Sequence, residues 1–238
     1  YTGQQHHIKC GYNPKKWAYL PNGFDTDEWH PDPYAKNRLC AELDIDPAKH
    51  LVGMVARKDL AKDHVTLLEA IRLVRNNGHN VHLALVGQNT EELAIADELV
   101  PHVSALGLRR DVAQLVPAFD IAVLASSFGE GFPNVIGEAM ACGVPAIGND
   151  VGDVTNVIGD TGKIVPQRSP DKLAKAIEEL ITEDAESRTH RKMASRNRII
   201  NHYGLDAMNA RYLALWDELA GNQPVAELGF QRDPRHPN

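Results

Sequence analysis

The stretch from Ser126 to Pro145, S-S-F-G-E-G-F-P-N-V-I-G-E-A-M-A-C-G-V-P, gathers the residue types that do chemistry. Two carboxylates, Glu130 and Glu138, flank a turn that carries Gly129 and Gly131. From Asn134 onward the pattern is helical, with Asn134 a good N-cap for a helix starting at Val135. Glycines let a backbone approach a ligand closely, and the first N–H groups of a helix point outward with the positive end of its dipole. Together they form a ready site for a phosphate. Glu138 follows Asn134 by about one helical turn, roughly 6 Å, so a ribose attached to that phosphate comes within its reach. Glu130 precedes the turn, on the side where a sugar carried by the same diphosphate would sit. The spacing therefore suggests a nucleoside-diphosphate sugar. Taken alone, Glu138 also reads as a solvated helix residue and Glu130 as a loop charge. A glycosidase pair is a third reading, with carboxyl groups roughly 5–10 Å apart across an open cleft. An anion-binding helix end beside one of them opposes that chemistry.

A second segment, R-K-D-L-A-K-D-H at residues 57–64, follows the aliphatic run Leu51–Ala56. Arg57 offers a planar fork for a diphosphate and Lys62 a compact point charge. Both could neutralise charge on a nucleoside-diphosphate leaving group. Either could equally be a solvated loop residue, and Lys58 replaces Arg57 if the strand ends one residue later. Asp63 reads as the N-cap of the following helix, and His64 as an ordinary first-turn residue.

The elements that must position these side chains alternate in type. Short aliphatic runs at Trp17–Leu20, Leu51–Ala56, Val81–Val86, His102–Leu106, Ile121–Leu124, Val144–Ile147 and Gly162–Val165 read as strands. Amphipathic stretches at Val65–Arg75, Glu91–Val100, Asp111–Phe119, Val135–Ala141 and Pro170–Leu180 read as helices. This rhythm predicts an α/β fold with a doubly wound, mostly parallel sheet. Ligands of such sheets sit beyond the carboxyl ends of the strands, where both chemical segments fall. Two further helices are expected at Ala185–His202 and Leu205–Leu219. The expected organisation is a linker or remnant of a preceding domain over 1–16, a nucleotide-sugar-binding domain over 17–184, C-terminal helices over 185–220, and an irregular tail over 221–238.

The 238 residues are 43% hydrophobic and 24% charged, with 25 Lys and Arg against 32 Asp and Glu. The net charge of −7 lacks the broad basic footprint of a dedicated nucleic-acid binder. No apolar run approaches the roughly 20 residues of a membrane span. The three cysteines, Cys10, Cys40 and Cys142, are too few and too far apart for a disulfide scaffold or a cysteine zinc site, and suggest a reducing, cytoplasmic setting. Asp25–Thr26–Asp27 and Asp44–Ile45–Asp46 spell D-x-D but fall in a turn and a helix–strand link, so both read as structural and no metal is expected. The basic stretch Arg188, Arg191, Lys192, Arg196 and Arg198 fits a solvated face or a contact with anionic lipid at the inner face of a membrane.

The motifs taken together resemble the carboxyl-terminal, donor-binding half of a family 4 glycosyltransferase with the GT-B fold, a Rossmann-like unit. They are P-N-G-F-D at Pro21–Asp25, A-R-K-D-L-A-K-D-H-V-T-L-L-E-A at Ala56–Ala70, L-A-L-V-G at Leu83–Gly87 and G-L-R-R-D-V at Gly107–Val112. The E-x7-E motif follows as Glu130 and Glu138, and then G-D-T-G-K-I-V-P at Gly159–Pro166. The likeness runs in order from about Pro21 to Leu180. It implies that Arg57 and Lys62 hold the donor diphosphate, that Glu138 binds the ribose hydroxyls and that Glu130 faces the donor sugar. Backbone N–H groups of Phe132, Asn134 and Val135 would contact sugar and phosphate oxygens beside Gly131, while Pro133 has none to offer. The base would lie near Leu106 and Gly107.

The resemblance further implies retention of anomeric configuration, a uridine diphosphate sugar as donor, and a glycan or glycolipid as acceptor, as in bacterial polysaccharide or lipopolysaccharide synthesis. The acceptor domain would precede Tyr1, leaving part of the Leu205–Leu219 face (Leu213, Leu215, Trp216) exposed. Two rivals share the motifs: a nucleotide-sugar epimerase of the same fold, and a binding module without catalysis.

Overall fold

The structure, a computed structural model, describes residues 7–13 and 17–221. Six parallel strands form one sheet in the order β3-β2-β1-β4-β5-β6. They are β1 (His50–Val55), β2 (Val81–Val86), β3 (Val103–Ala105), β4 (Ile121–Leu124), β5 (Ala146–Asn149) and β6 (Lys163–Val165). The helices are α1 (Ala35–Glu42), α2 (His64–Asn76), α3 (Val112–Leu115), α4 (Asn134–Ala141), α5 (Val154–Ile158), α6 (Pro170–Ile181), α7 (Ala185–Tyr203) and α8 (Leu205–Leu219). The doubly wound α/β fold expected from the sequence is present.

Alternation along the strands divides the core. Val52, Met54, Leu83, Leu85, Ile121 and Val123 face one side, packed by Leu67, Ile71 and Val74 of α2 and Leu173 and Ile177 of α6. Leu51, Ala84, Val86 and Ala122 face the other, under Leu39, Val116, Phe119 and Ala139. Both layers are apolar and buried, as a parallel sheet covered on two faces requires. A third cluster joins Leu124, Ile136 and Met140 to Phe24, Ile199 and Tyr203, so α7 is part of the packing around α4.

Several element expectations are corrected. Residues 17–20 pair with no strand. Residues 91–100 form no α-helix: a short 3-10 turn at Thr90–Glu92 and another at Val100–His102 bracket loop and turn. The expected helix 111–119 is split into α3 and a 3-10 turn at Val116–Ala118, because Pro117 has no N–H to continue the ladder. Strand β5 begins at Ala146, two residues later than expected, and runs to Asn149. Helices α1 and α5 have weak or short sequence signals and were not anticipated. The tail after Gly221 and most of the expected linker lie outside the described residues.

Candidate functional site

The order of strands turns between β1 and β4, and the loops leaving those two strands carry the chemical residues. A ligand crevice opens at such a point because neighbouring crossovers depart to opposite faces.

In the loop after β1, Asp59 organises the chain. Its carboxylate accepts the Ala61 N–H at 2.9 Å, starting the 3-10 turn Leu60–Lys62, and holds Arg57 through Nε and Nη2 at 3.1 and 2.8 Å. The Ala61 N–H first, and the guanidinium second, keep that carboxyl below its ordinary range. Asp63 caps α2 as expected, accepting the Thr66 N–H at 3.3 Å and its hydroxyl at 2.8 Å. Lys58 turns away, donating to the Glu92 carbonyl and carboxylate at 2.9 and 3.2 Å, so Arg57 is the guanidinium beside the crevice. His64 departs from the ordinary first-turn role: it is buried, its Nε2 has no hydrogen-bond partner among the described residues, and burial lowers its pKa.

The loop after β4 is tied to the same place. The Ser127 N–H donates to the Ala61 carbonyl at 2.8 Å. The Lys62 Nζ and the Ser126 Oγ both donate to Glu130 Oε1, each at 2.5 Å. The Glu130 and Lys62 side chains are 9% and 22% exposed, so this pair sits in a largely desolvated pocket. A third loop, after β5, buttresses the glycine turn from behind. The Asp153 N–H donates to the Gly131 carbonyl at 3.0 Å, and Gly152, at φ +58°, leaves room for the Glu130 carbonyl. A Cβ at Gly152 would stand 2.4 Å from that oxygen.

Helix α4 begins one residue earlier than expected. Pro133 occupies the cap position and Asn134 is the first helical residue, so the Asn134 side chain caps nothing. It accepts a hydrogen bond from Asn22 Nδ2 at 2.8 Å, which docks the P-N-G turn on the helix start. The Asn134 N–H is spent on the Phe132 carbonyl at 3.0 Å, leaving the N–H groups of Phe132 and Val135 without a partner among the described residues. Of the three backbone donors expected, two are free. The Phe132 ring packs between Phe24 and Tyr203, with centroids 6.0 and 5.8 Å away. That contact fixes the direction of the turn.

Glu138 lies one turn into α4, and its carboxylate forms no hydrogen bond or ion pair among the described residues. Burial pushes its pKa up to about 7, and Glu28 adds like-charge repulsion. A half-buried carboxylate without a partner is costly in the fold and suits a ligand that brings hydroxyl donors. At the other end of the crevice, Leu106 and Gly107 follow β3. Their N–H groups donate to the Leu85 carbonyl at 2.8 Å and to Thr90 Oγ1 at 3.1 Å.

The structure therefore brings Arg57, Lys62, Glu130 and Gly131 to one set of adjoining loops. Phe132, Asn134, Val135 and Glu138 follow on α4 and its approach, with Leu106 and Gly107 two strands away. Ser126, Asn22, Asp59 and Gly152 were missed. Ser126, four residues before Glu130, and Asp59, two residues from both Arg57 and Ala61, had a local sequence signal, whereas Asn22 and Gly152 act across longer chain separations. The D-x-D segments are turn caps: Asp25 accepts the Asp27 and Glu28 N–H groups, and Asp46 that of Ala48. Four arginines of the basic stretch on α7 serve the fold. Arg188, Arg196 and Arg198 donate to backbone carbonyls, and Arg191 clasps Glu183.

A family model described as "Glycosyl transferases group 1" matches residues 49–183. The chain belongs to this family. D-inositol 3-phosphate glycosyltransferase of Rhodococcus jostii is 30% identical to it over 189 residues, 73% of this chain and 41% of that one. Among solved structures, Anabaena HepE in complex with UDP and glucose superposes with a TM-score of 0.78 at 22% identity, covering 90% of this chain and 60% of that one. The C-terminal domain of the group 1 glycosyl transferase LpcC from Francisella tularensis gives 0.63 at 19% identity, over 77% of this chain and all of that domain. The group 1 transferase chain thus has a Rossmann-like GT-B unit and spans 41% of its Rhodococcus relative and 60% of HepE.

Proposed function

We propose that the chain is the donor-binding domain of a retaining, metal-independent hexosyltransferase that uses a nucleoside-diphosphate sugar. The observation that carries this reading is the convergence of Lys62 and Ser126 on Glu130 beside two unpartnered N–H groups at the start of α4. A diphosphate laid across the β1–β4 turning point would meet those N–H groups, Lys62 and Arg57. Glu130 would then face the sugar and Glu138 the ribose.

In the transfer step the bond from the sugar's anomeric carbon to the β-phosphate oxygen breaks as the acceptor hydroxyl oxygen bonds to that carbon. The hydroxyl proton passes to the departing phosphate, and negative charge grows on the diphosphate. Lys62, Arg57 and the α4 dipole stabilise that charge where it develops. In the unliganded chain Glu130 neutralises Lys62, so the donor phosphate competes with Glu130 for the ammonium group. The acceptor, a glycan or glycolipid, would be held by a preceding domain, without which this chain would bind donor but transfer nothing. A cytoplasmic enzyme, working where such acceptors meet the inner face of a membrane, is the setting this reading implies.

The test is calorimetric titration of the 238-residue chain with nucleoside diphosphates, with and without magnesium. Binding that does not depend on magnesium, weakened about tenfold or more by Glu138→Ala and by Arg57→Ala, is the expected result. Binding only with magnesium, or binding indifferent to both substitutions, overturns the assignment.

A further inference from the structure

We infer that Glu91 selects the base of the nucleotide, and that the base it favours is guanine. This rests on the donor-site reading above and follows from the polarity that the strand order gives the crevice. Glu130 and its buttress at Gly152 mark the end over β4 and β5. The cations and the α4 start mark the centre, between β1 and β4. The other end lies over β2 and β3, between the loop 87–93 and the loop that begins at Leu106.

At that end three of the backbone groups of Leu106 and Gly107 are engaged within the fold. The Leu106 N–H is bound to the Leu85 carbonyl, the Gly107 N–H to Thr90 Oγ1, and the Gly107 carbonyl to the Gly87 N–H at 2.8 Å. What stands over Gly107 is the Glu91 carboxylate. Its Oε2 and Oε1 lie 2.9 and 3.2 Å from the point where a Cβ on Gly107 would be. Gly107, at φ +61°, leaves that space open. The neighbouring Glu92 takes the Lys58 ammonium, whereas Glu91 is exposed and forms no hydrogen bond or ion pair among the described residues. Leu108, 72% exposed, supplies an apolar surface alongside.

A carboxylate is an acceptor only, with two oxygens side by side. Guanine presents N1–H and the N2 amino group side by side and matches both oxygens with charge-assisted hydrogen bonds. Uracil offers one N–H between two carbonyl oxygens, so a carboxylate that takes the proton sets its second oxygen against a carbonyl. Adenine pairs one amino group with an acceptor nitrogen and meets the same repulsion. Hydrogen bonds to a charged group discriminate on the order of tenfold or more even where solvent competes.

Calorimetry with GDP, IDP, UDP and ADP, on the parent 238-residue chain and on Glu91→Gln and Glu91→Ala, tests this directly. Glu91 is exposed, so both variants should unfold at the parent temperature, which a thermal melt checks. The expected result is GDP tighter than UDP and ADP by about tenfold, with IDP, which lacks the N2 amino group, in between. Glu91→Ala should bring GDP down to the others without weakening UDP or ADP. A preference for UDP or ADP that still depends on Glu138 overturns the role of Glu91 and leaves the donor site standing. A guanine preference that survives Glu91→Ala overturns it as well. If no nucleotide binds, or none depends on Glu138, the donor-site reading fails and the assignment of Glu91 falls with it.

Discussion

At the scale of single residues, the site is defined by how its charges are compensated before any ligand arrives. Among the described residues Lys62 has one ion-pair partner, Glu130, in a pocket mostly shut off from water. Replacing Glu130 by Gln keeps the shape and the Ser126 contact but releases the ammonium group. Diphosphate affinity should then rise several-fold, while sugar transfer, assayed with the proposed acceptor domain present, falls at least tenfold. Calorimetry and a transfer assay read the two separately, and a fall in diphosphate affinity would show that Glu130 does not compete for Lys62. Lys62→Ala should weaken both diphosphate binding and transfer, leaving a desolvated carboxylate behind. We expect a loss of stability of about 1–3 kcal/mol and turnover lowered more than donor affinity.

Glu138 carries a pH signature. Its folded-state pKa, about 7, is raised from an ordinary 4.5. The proton it holds in the fold therefore contributes stability that is fully present below about pH 4.5 and lost as pH rises through 7. Glu138→Gln removes the ionisation. It should match the parent at pH 4 and exceed it by about 1–2 kcal/mol at pH 8, while binding nucleotide more weakly. Unfolding curves at the two pH values decide this. An equal difference at both would mean that the carboxyl ionises as an exposed one does.

At the scale of elements, three loops behave as one unit because their backbones are bonded to each other. Ser127 holds the Ala61 carbonyl, and Asp153 holds that of Gly131. Gly152 is the tightest point of this assembly. Gly152→Ala brings a Cβ against the Glu130 and Gly131 carbonyls at a positive φ that an L-residue rarely adopts. The strain should cost about 1–3 kcal/mol. It should also push Glu130 away from Lys62, lowering activity although residue 152 touches no reacting atom. A variant with parental stability and activity would show that the β5 loop yields freely.

Much at this scale was readable beforehand. Strands β2 and β4 and helix α8 have the expected bounds, because dense aliphatic runs and a long periodic face tolerate little ambiguity. The stretch 91–100 misled because its acidic and aliphatic residues imitate a helix, while its chain is bent into turns around Thr90 and Leu99. Asn134 misled for a subtler reason. The helix starts one residue earlier than a cap at Asn134 would place it, and the Asn134 side chain accepts a hydrogen bond from Asn22, 112 positions away.

At the scale of the whole molecule, α8 is the anomaly. None of its residues is buried, and Leu213, Trp216 and Leu219 are 56%, 60% and 74% exposed. Helix α7, by contrast, seats Ile199 and Tyr203 in the core. The double change Leu213→Asp and Trp216→Glu should leave the unfolding midpoint nearly unchanged and reduce self-association on light scattering. A large loss of stability would show that α8 supports the Rossmann-like unit itself.

By itself the sequence determined the parallel α/β class, the two chemical segments and their place at the strand ends. Those features depend on local periodicity and on residue types a few positions apart, and short-range physics constrains both. Only the tertiary structure decided which charges meet. It brought Lys62 and Ser126 onto Glu130, turned Lys58 to Glu92 and left the Glu91 and Glu138 carboxylates without partners among the described residues. It also spent the α7 arginines on carbonyls. Such pairings join residues that are often far apart in the chain, and side-chain contacts formed by folding leave no periodic trace in the sequence.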